Sequence, residues 1–219
     1  MKKLLFSIFI LFFGFNIFAF NLDLMGNISY EYITYKGKTS LNTNGQTVPF
    51  SSSFNCGGVV FGADICFTDK FGIYSRVGLL TVGGVNRSVN NTTYDLKLSN
   101  SSAYGNTVDL GVTFAFPLNN YFSVWIAPAF TMNYCEYNYY KFNLYNPRAI
   151  IESNLGFGAL ADVYLKFRYG HFVASVGCAG SALFSSMVTS SDTSIDYSYN
   201  IRDTVGFAVR PYIAAGVTF

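Results

Sequence analysis

Asp64, Arg76, Asp109, Asp162, Lys166 and Arg210 each fall at alternate positions of otherwise apolar or small-residue segments. In extended chain, residues i and i+2 share a side, so these three acids and three bases are predicted to share an enclosed, inward face. The chemistry open to such a balanced set is mutual ion pairing as a structural plug, or, with a free path between them, a gate for an ion. Catalysis is poorly supplied. The single histidine, His171, follows Gly170 in the segment Arg168-Tyr169-Gly170-His171, beside neither an acid nor a serine, so His-assisted acid–base or nucleophilic chemistry lacks its partners there. We expect a non-enzyme. Cys56, Cys66, Cys135 and Cys178 show no CxxC or Cys/His spacing, so neither a metal site nor a cofactor is expected. Free thiols are the expected state, although Cys56 and Cys135 fall near the same end of the architecture derived below, where one disulfide has room. Gly57-Gly58, Gly83-Gly84 and Gly156-Phe157-Gly158 precede no strand-to-helix switch and therefore form no phosphate loop; strand bending or close packing accounts for them.

The elements that must position these groups are strands. The clearest runs from Thr204 to Phe219, where Val205, Phe207, Val209, Pro211, Ile213, Ala215, Val217 and Phe219 alternate with smaller, polar or charged residues. Similar alternation covers Phe61 to Phe67, Val108 to Phe116, Phe122 to Asn133 and Leu155 to Phe167, and less cleanly Leu22 to Tyr35, Phe71 to Val82 and Phe172 to Leu183. Eight strands are predicted. Short turns at Thr68-Asp69-Lys70, Pro117-Leu118-Asn119-Asn120 and Arg168-Tyr169-Gly170-His171 carry suitable turn chemistry, and the marker positions Asp69, Asn119, Tyr169 and Phe219 follow each other at 50-residue intervals. Long connections are expected at 36–53, 86–103, 136–152 and 185–201. Pro128 and Pro211 fall inside predicted strands, where each removes a ladder donor and demands a bulge or distorted pairing.

Composition narrows the setting. Of 219 residues, 51% are hydrophobic, 19% aromatic and only 12% charged, with a formal net charge of +2. That balance argues against disorder, a coiled coil and nucleic-acid binding, since few phosphates could be neutralised. Beyond the first twenty residues no run of 18 apolar side chains occurs, which argues against membrane helices. The N-terminus differs: Lys2 and Lys3 precede a greasy stretch from Leu4 to Phe15, and Ala19 offers a small residue before a cut, so residues 1–19 read as a signal peptide and 20–219 as the mature domain.

Strands that carry hydrocarbon on one face and small, polar or charged groups on the other suit a barrel in lipid. There every backbone polar group needs an internal partner, and strands achieve this only when the sheet closes. The predicted fold class is therefore all-β: an eight-stranded antiparallel up-and-down transmembrane β-barrel with short periplasmic turns and long extracellular loops. Tyr30, Tyr32, Tyr35, Tyr104, Tyr121, Phe122, Tyr134, Phe167, Phe172 and Phe219 lie near strand ends, as expected of interfacial girdles. A soluble lipocalin-like cup would require the opposite polarity.

On these features the chain resembles the small eight-stranded bacterial outer-membrane proteins, such as the transmembrane domain of outer-membrane protein A and its X and W relatives. The resemblance implies a place in the bacterial outer membrane, contact with its lipid, and recognition of the terminal alternation ending at Phe219 by the outer-membrane insertion machinery. Two functions follow as expectations. The first is a non-enzymatic barrel with a structural or surface-interaction role, in which Tyr137, Tyr139, Tyr140 and Tyr145 of the third long loop offer amphipathic contact area to host surface molecules. The alternative is a small channel or transporter for ions or hydrophobic molecules, with inward Val60, Trp125, Leu160 and Tyr164 along the path.

Overall fold

The structure, a computed structural model, describes residues 20–41, 46–89, 91–98, 103–141, 148–190 and 205–219. The predicted signal peptide 1–19 and Tyr145 lie outside the described residues. The strands are β1 (Asn21–Leu41), β2 (Gln46–Cys66), β3 (Phe71–Val89), β4 (Thr92–Leu96), β5 (Tyr104–Pro117), β6 (Phe122–Lys141), β7 (Arg148–Tyr169), β8 (Phe172–Ser190) and β9 (Val205–Thr218). All pairings between them are antiparallel, in the order β2-β1-β9-β8-β7-β6-β5-β3, and β2 also pairs with β3. The sheet is a closed eight-stranded barrel. The short β4 stands outside that ring as a hairpin partner of the far end of β3, from Val89↔Thr92 to Val85↔Leu96.

Alternation builds the two faces. Ile28, Phe61, Leu79, Leu110, Val176 and Ile213 point outward and are exposed, while Asp23, Asp64, Thr107, Asp109 and Asp162 point inward and are buried. On β6 the outward set is apolar from Phe122 to Met132 and then becomes Tyr134, Glu136 and Asn138. About 11 residues at ~3.3 Å, tilted ~45°, cover the roughly 25 Å apolar band of an outer membrane. Aromatic rings mark both borders: Tyr104 and Tyr134 lie 6.1 Å apart at the loop end, and Phe122 and Phe167 lie 5.1 Å apart at the turn end.

The turns close through local side-chain bonds. Asn119 Oδ1 accepts from the backbone N–H groups of Tyr121 and Phe122, each at 2.9 Å, and Thr68 Oγ1 accepts from those of Lys70 and Phe71 at 3.2 and 3.0 Å. Gly170 takes a positive φ of 56° between Tyr169 and Phe172, which pair directly.

Several expectations need correction. The strands run well past the predicted limits at the loop end, so that β1 reaches Leu41 and β6 reaches Lys141, and much of the predicted loops 36–53 and 136–152 is sheet. Past the apolar belt, strands still gain by pairing, and outward polar residues such as Glu136 and Asn138 remain compatible with it. Tyr35 belongs to no girdle; it is 1% exposed and faces the lumen. Tyr137 and Tyr139 likewise present no surface, because they continue the inward phase of Thr131, Asn133 and Cys135. Tyr140 lies on β6 next to the strand's end. The prolines produce distorted pairing: the β5–β6 ladder lapses where Val112 and Thr113 oppose Pro128 and Ala127, and the β1–β9 ladder lapses at Tyr30 and Glu31, opposite Pro211 and Arg210. On their other sides Pro128↔Ala161 and Cys178↔Pro211 pair normally, so each missing N–H interrupts one ladder only.

Candidate functional site in the barrel lumen

All six charged residues predicted to face inward do so, each 4% exposed or less. They are joined by charges the alternation reading had passed over, and together they fill the lumen in layers.

Nearest the turns, Lys166 Nζ lies 2.9 Å from Asp23 Oδ2 and 2.6 Å from Asp64 Oδ2, and 4.0 Å above the Trp125 ring. Arg168 donates from Nη2 to both oxygens of Asp23, at 2.9 and 2.7 Å. Beside this layer a mouth cavity of about 350 Å³ opens among the turns, lined in part by Asp69, Asn119, Trp125, Lys166 and Arg168.

Above it, the Arg76 guanidinium sits 5.0, 5.6 and 5.6 Å from the ring centres of Tyr74, Tyr164 and Tyr212. Its Nη2 is 3.6 Å from Asp64 Oδ1. The charge is thus held by ring faces and one loose carboxylate contact. Asp162 has hydroxyl partners: Tyr74 and Tyr212 donate to its Oδ2 at 2.9 and 2.7 Å. A third set joins Arg210 to Asp109; Arg210 Nη1 also donates to Thr107 Oγ1 at 2.9 Å, Thr131 donates to Asp109 at 2.7 Å, and Glu31 Oε2 lies 3.9 Å from Arg210.

Further toward the loop end the lumen turns apolar, around Ile33, Phe54, Leu80, Val82 and Leu183, with Cys56 and Cys135 among them. Beyond this layer Glu152 accepts from Arg87 through both of its oxygens, from the Tyr137 hydroxyl at 2.6 Å and from the Tyr139 hydroxyl at 2.8 Å. The two tyrosines predicted for an outer surface are thus ligands of a lumenal carboxylate.

The structure therefore separates the six predicted residues. Asp64, Arg76 and Lys166 share one cluster, Asp109 and Arg210 form another, and Asp162 is bridged by tyrosines to the Arg76 layer. Asp23, Glu31 and Glu152 were findable by counting alternate positions back along β1 and β7. Arg87 was not. On β3 the inward phase runs through Tyr74, Arg76, Leu80 and Val82, but Asn55 pairs Gly84 while Cys56 pairs Val82, leaving Gly83 as an extra residue. That bulge moves the inward phase to Val85 and Arg87. Gly83-Gly84, expected to permit bending, is where it occurs. Val60, Trp125, Leu160 and Tyr164, proposed to line a path, are all buried packing groups. His171 is exposed in its turn, with Nδ1 3.1 Å from the Thr218 carbonyl oxygen.

No protein-family model matches the sequence, and no curated protein matches it either. Solved structures do. Outer membrane protein OprG from Pseudomonas aeruginosa is similar with a TM-score of 0.50 and 11% identity, over 92% of this chain and 97% of that one. The outer membrane protease OmpT from Escherichia coli gives a TM-score of 0.50 and 8% identity, over 91% of this chain and 96% of that one. Ail, the attachment invasion locus protein of Yersinia pestis, gives 0.41 and 11%, over 89% and 98%. At such identities the likeness is one of architecture: this chain has the fold of the bacterial outer-membrane β-barrels.

Proposed function

We propose that the protein spans the bacterial outer membrane as a non-enzymatic barrel with a filled lumen, acting in envelope structure and surface interaction. The observation that carries this reading is the stacking inside the barrel: an ionic layer, the Arg76–tyrosine layer, the Arg210–Asp109 set, an apolar layer and the Arg87–Glu152 set succeed one another from turn end to loop end. An eight-stranded barrel is just wide enough for side chains to fill it, and here they are paired with one another. The apolar outer belt supports a lipid setting, and the export reading adds cleavage of 1–19 and insertion through the strand ending at Phe219. The non-enzymatic reading is supported by the one histidine, which lies in a short turn beside neither an acid nor a serine.

The surface role rests on the connections at the loop end, including 142–147 with Tyr145, and would be directed at host surface molecules. Shortening 142–147 is expected to reduce binding of the protein to host cells. For the lumen, the test is a planar-bilayer recording of the purified protein. We expect a silent membrane; stable single-channel steps that change on charge reversal at Arg210 would overturn the filled-lumen reading in favour of the small channel or transporter.

A further inference from the structure

Two thiols 79 positions apart in the chain meet inside the barrel. Cys56 Sγ and Cys135 Sγ lie 4.0 Å from each other, and the residues are 0% and 1% exposed. Cys56 is on β2 and Cys135 on β6, strands that β3 and β5 separate in the ring, so the contact bridges the lumen instead of following a ladder. It lies within the apolar layer, between the Arg210–Asp109 set and the Arg87–Glu152 set. Gly105, opposite Cys135 on β5, keeps this space open: a Cβ there would come within 3.2 Å of Cys135 Sγ. The other two cysteines are elsewhere. Cys66 is buried at the turn end, beside the mouth cavity, and Cys178 is exposed on the outer face. Among the described residues this is the one thiol–thiol contact.

We propose that Cys56 and Cys135 form a disulfide across the lumen when the chain matures in an oxidising compartment, a proposal that rests on the export reading above. Bond formation requires the sulfurs to close from 4.0 Å to ~2.05 Å and the two Cα atoms to lie within ~7 Å of each other, so strands β2 and β6 must draw together wherever the torsions fall short. Both S–H bonds are lost and one S–S bond forms; the two electrons and two protons reduce the disulfide of a periplasmic thiol–disulfide oxidoreductase to its dithiol. Exchange proceeds through a mixed disulfide and needs access to one sulfur. The folded barrel denies that access, so the mixed disulfide forms on one cysteine before closure, the other thiolate displaces the oxidoreductase thiolate as the strands come together, and the finished bond is shielded from reductants. It ties the segment from Cys56 to Cys135, with β3 and β5, into one covalent loop and fixes the apolar layer that blocks the lumen.

The test expresses the full chain in a Gram-negative host with its periplasmic dithiol oxidase, and in the same host lacking it. Thiols are trapped with an alkylating agent in denaturant, and peptides are mapped without reductant. In the first host we expect a linked Cys56–Cys135 peptide, with Cys66 and Cys178 alkylated, and a boiled band that migrates faster until reductant is added. In the second host the link should be largely lost. The C56S and C135S variants should abolish it, and C66S and C178S should leave it unchanged. Fractionation of the same cells scores the export reading separately. A second arm refolds the reduced chain into detergent with glutathione disulfide, and there the same pair should link. Alkylation of all four cysteines in membrane-inserted protein from the first host, or in the refolded arm, overturns the proposal, as does a predominant link that involves Cys66 or Cys178.

Discussion

Lys166 and Asp64 meet across the lumen at 2.6 Å although 102 positions separate them in the chain. Neither is accessible to water to any useful extent, at 1% and 0% side-chain exposure, so each depends on the other for compensation of its charge. Lys166 also serves Asp23, which makes it the cation shared by two buried carboxylates. Replacing Lys166 with Met is expected to cost about 3–5 kcal/mol, the usual range for removing one partner of a buried pair. Urea unfolding of the micelle-bound protein, followed by fluorescence of Trp125, would measure it. An unchanged midpoint would refute the pairing.

Arg76 should behave differently. Its guanidinium rests on tyrosine faces, and none of its three nitrogens has a hydrogen-bond partner among the described residues. Asp64 keeps Lys166 and the Tyr164 hydroxyl when Arg76 is replaced. Arg76→Met should therefore destabilise clearly less than Lys166→Met, in keeping with the near-neutral exchange of weakly compensated buried ions for apolar groups. The same unfolding assay compares them; equal losses would show that the ring cage carries more than its geometry suggests.

The apolar outer belt, read as facing lipid, predicts a dependence on depth. Ile213 is 62% exposed, and it pairs with the outward Ile28 and Val176. Ile213→Arg should cost about 2–4 kcal/mol on folding into liposomes, whereas Asn138→Arg, past the apolar stretch of β6 that ends at Met132, should cost about 0–1 kcal/mol. Equal costs would argue that this exterior does not face acyl chains.

Close approach of strands gives a further contrast. A Cβ at Gly216 would collide with the Leu24 carbonyl oxygen, and one at Gly180 would meet nothing within 4 Å. Gly216→Ala should lose about 1–3 kcal/mol, the scale of overpacking, while Gly180→Ala folds as the parent does. The temperature at which each sample loses its folded gel mobility would distinguish them.

At the loop end, Tyr137→Phe removes one of several donors to Glu152, and Glu152→Ala removes their common acceptor. The first should cost about 1 kcal/mol and the second about 3 kcal/mol, by the difference between one hydrogen bond and one ion-pair partner. Urea midpoints in that order are expected, and the reverse order would mean that Glu152 is not the organising group.

Period-two alternation was legible throughout, because a strand in lipid must show hydrocarbon to one side and the sheet's enclosed space to the other at every second residue. It placed Asp64, Arg76, Asp109, Asp162, Lys166 and Arg210 inside, and found the three short turns and the eight strands of the ring. It also encoded Tyr137 and Tyr139 as inward, but their setting in a polar, tyrosine-rich stretch obscured that phase. Strand ends beyond the apolar belt were not legible, since polar residues such as Glu136 and Asn138 suit a solvated strand as well as a loop.

Local sequence thus determined which side each residue takes wherever the strand runs without a bulge. Only the closed barrel decided which inward groups meet, because strand tilt and register bring together residues as distant in sequence as Asp23 and Lys166, or Cys56 and Cys135. The bulge at Gly83 sets the same limit for Arg87: one extra residue reverses the side of every position after it, and its occurrence depends on what lies opposite in the neighbouring strand.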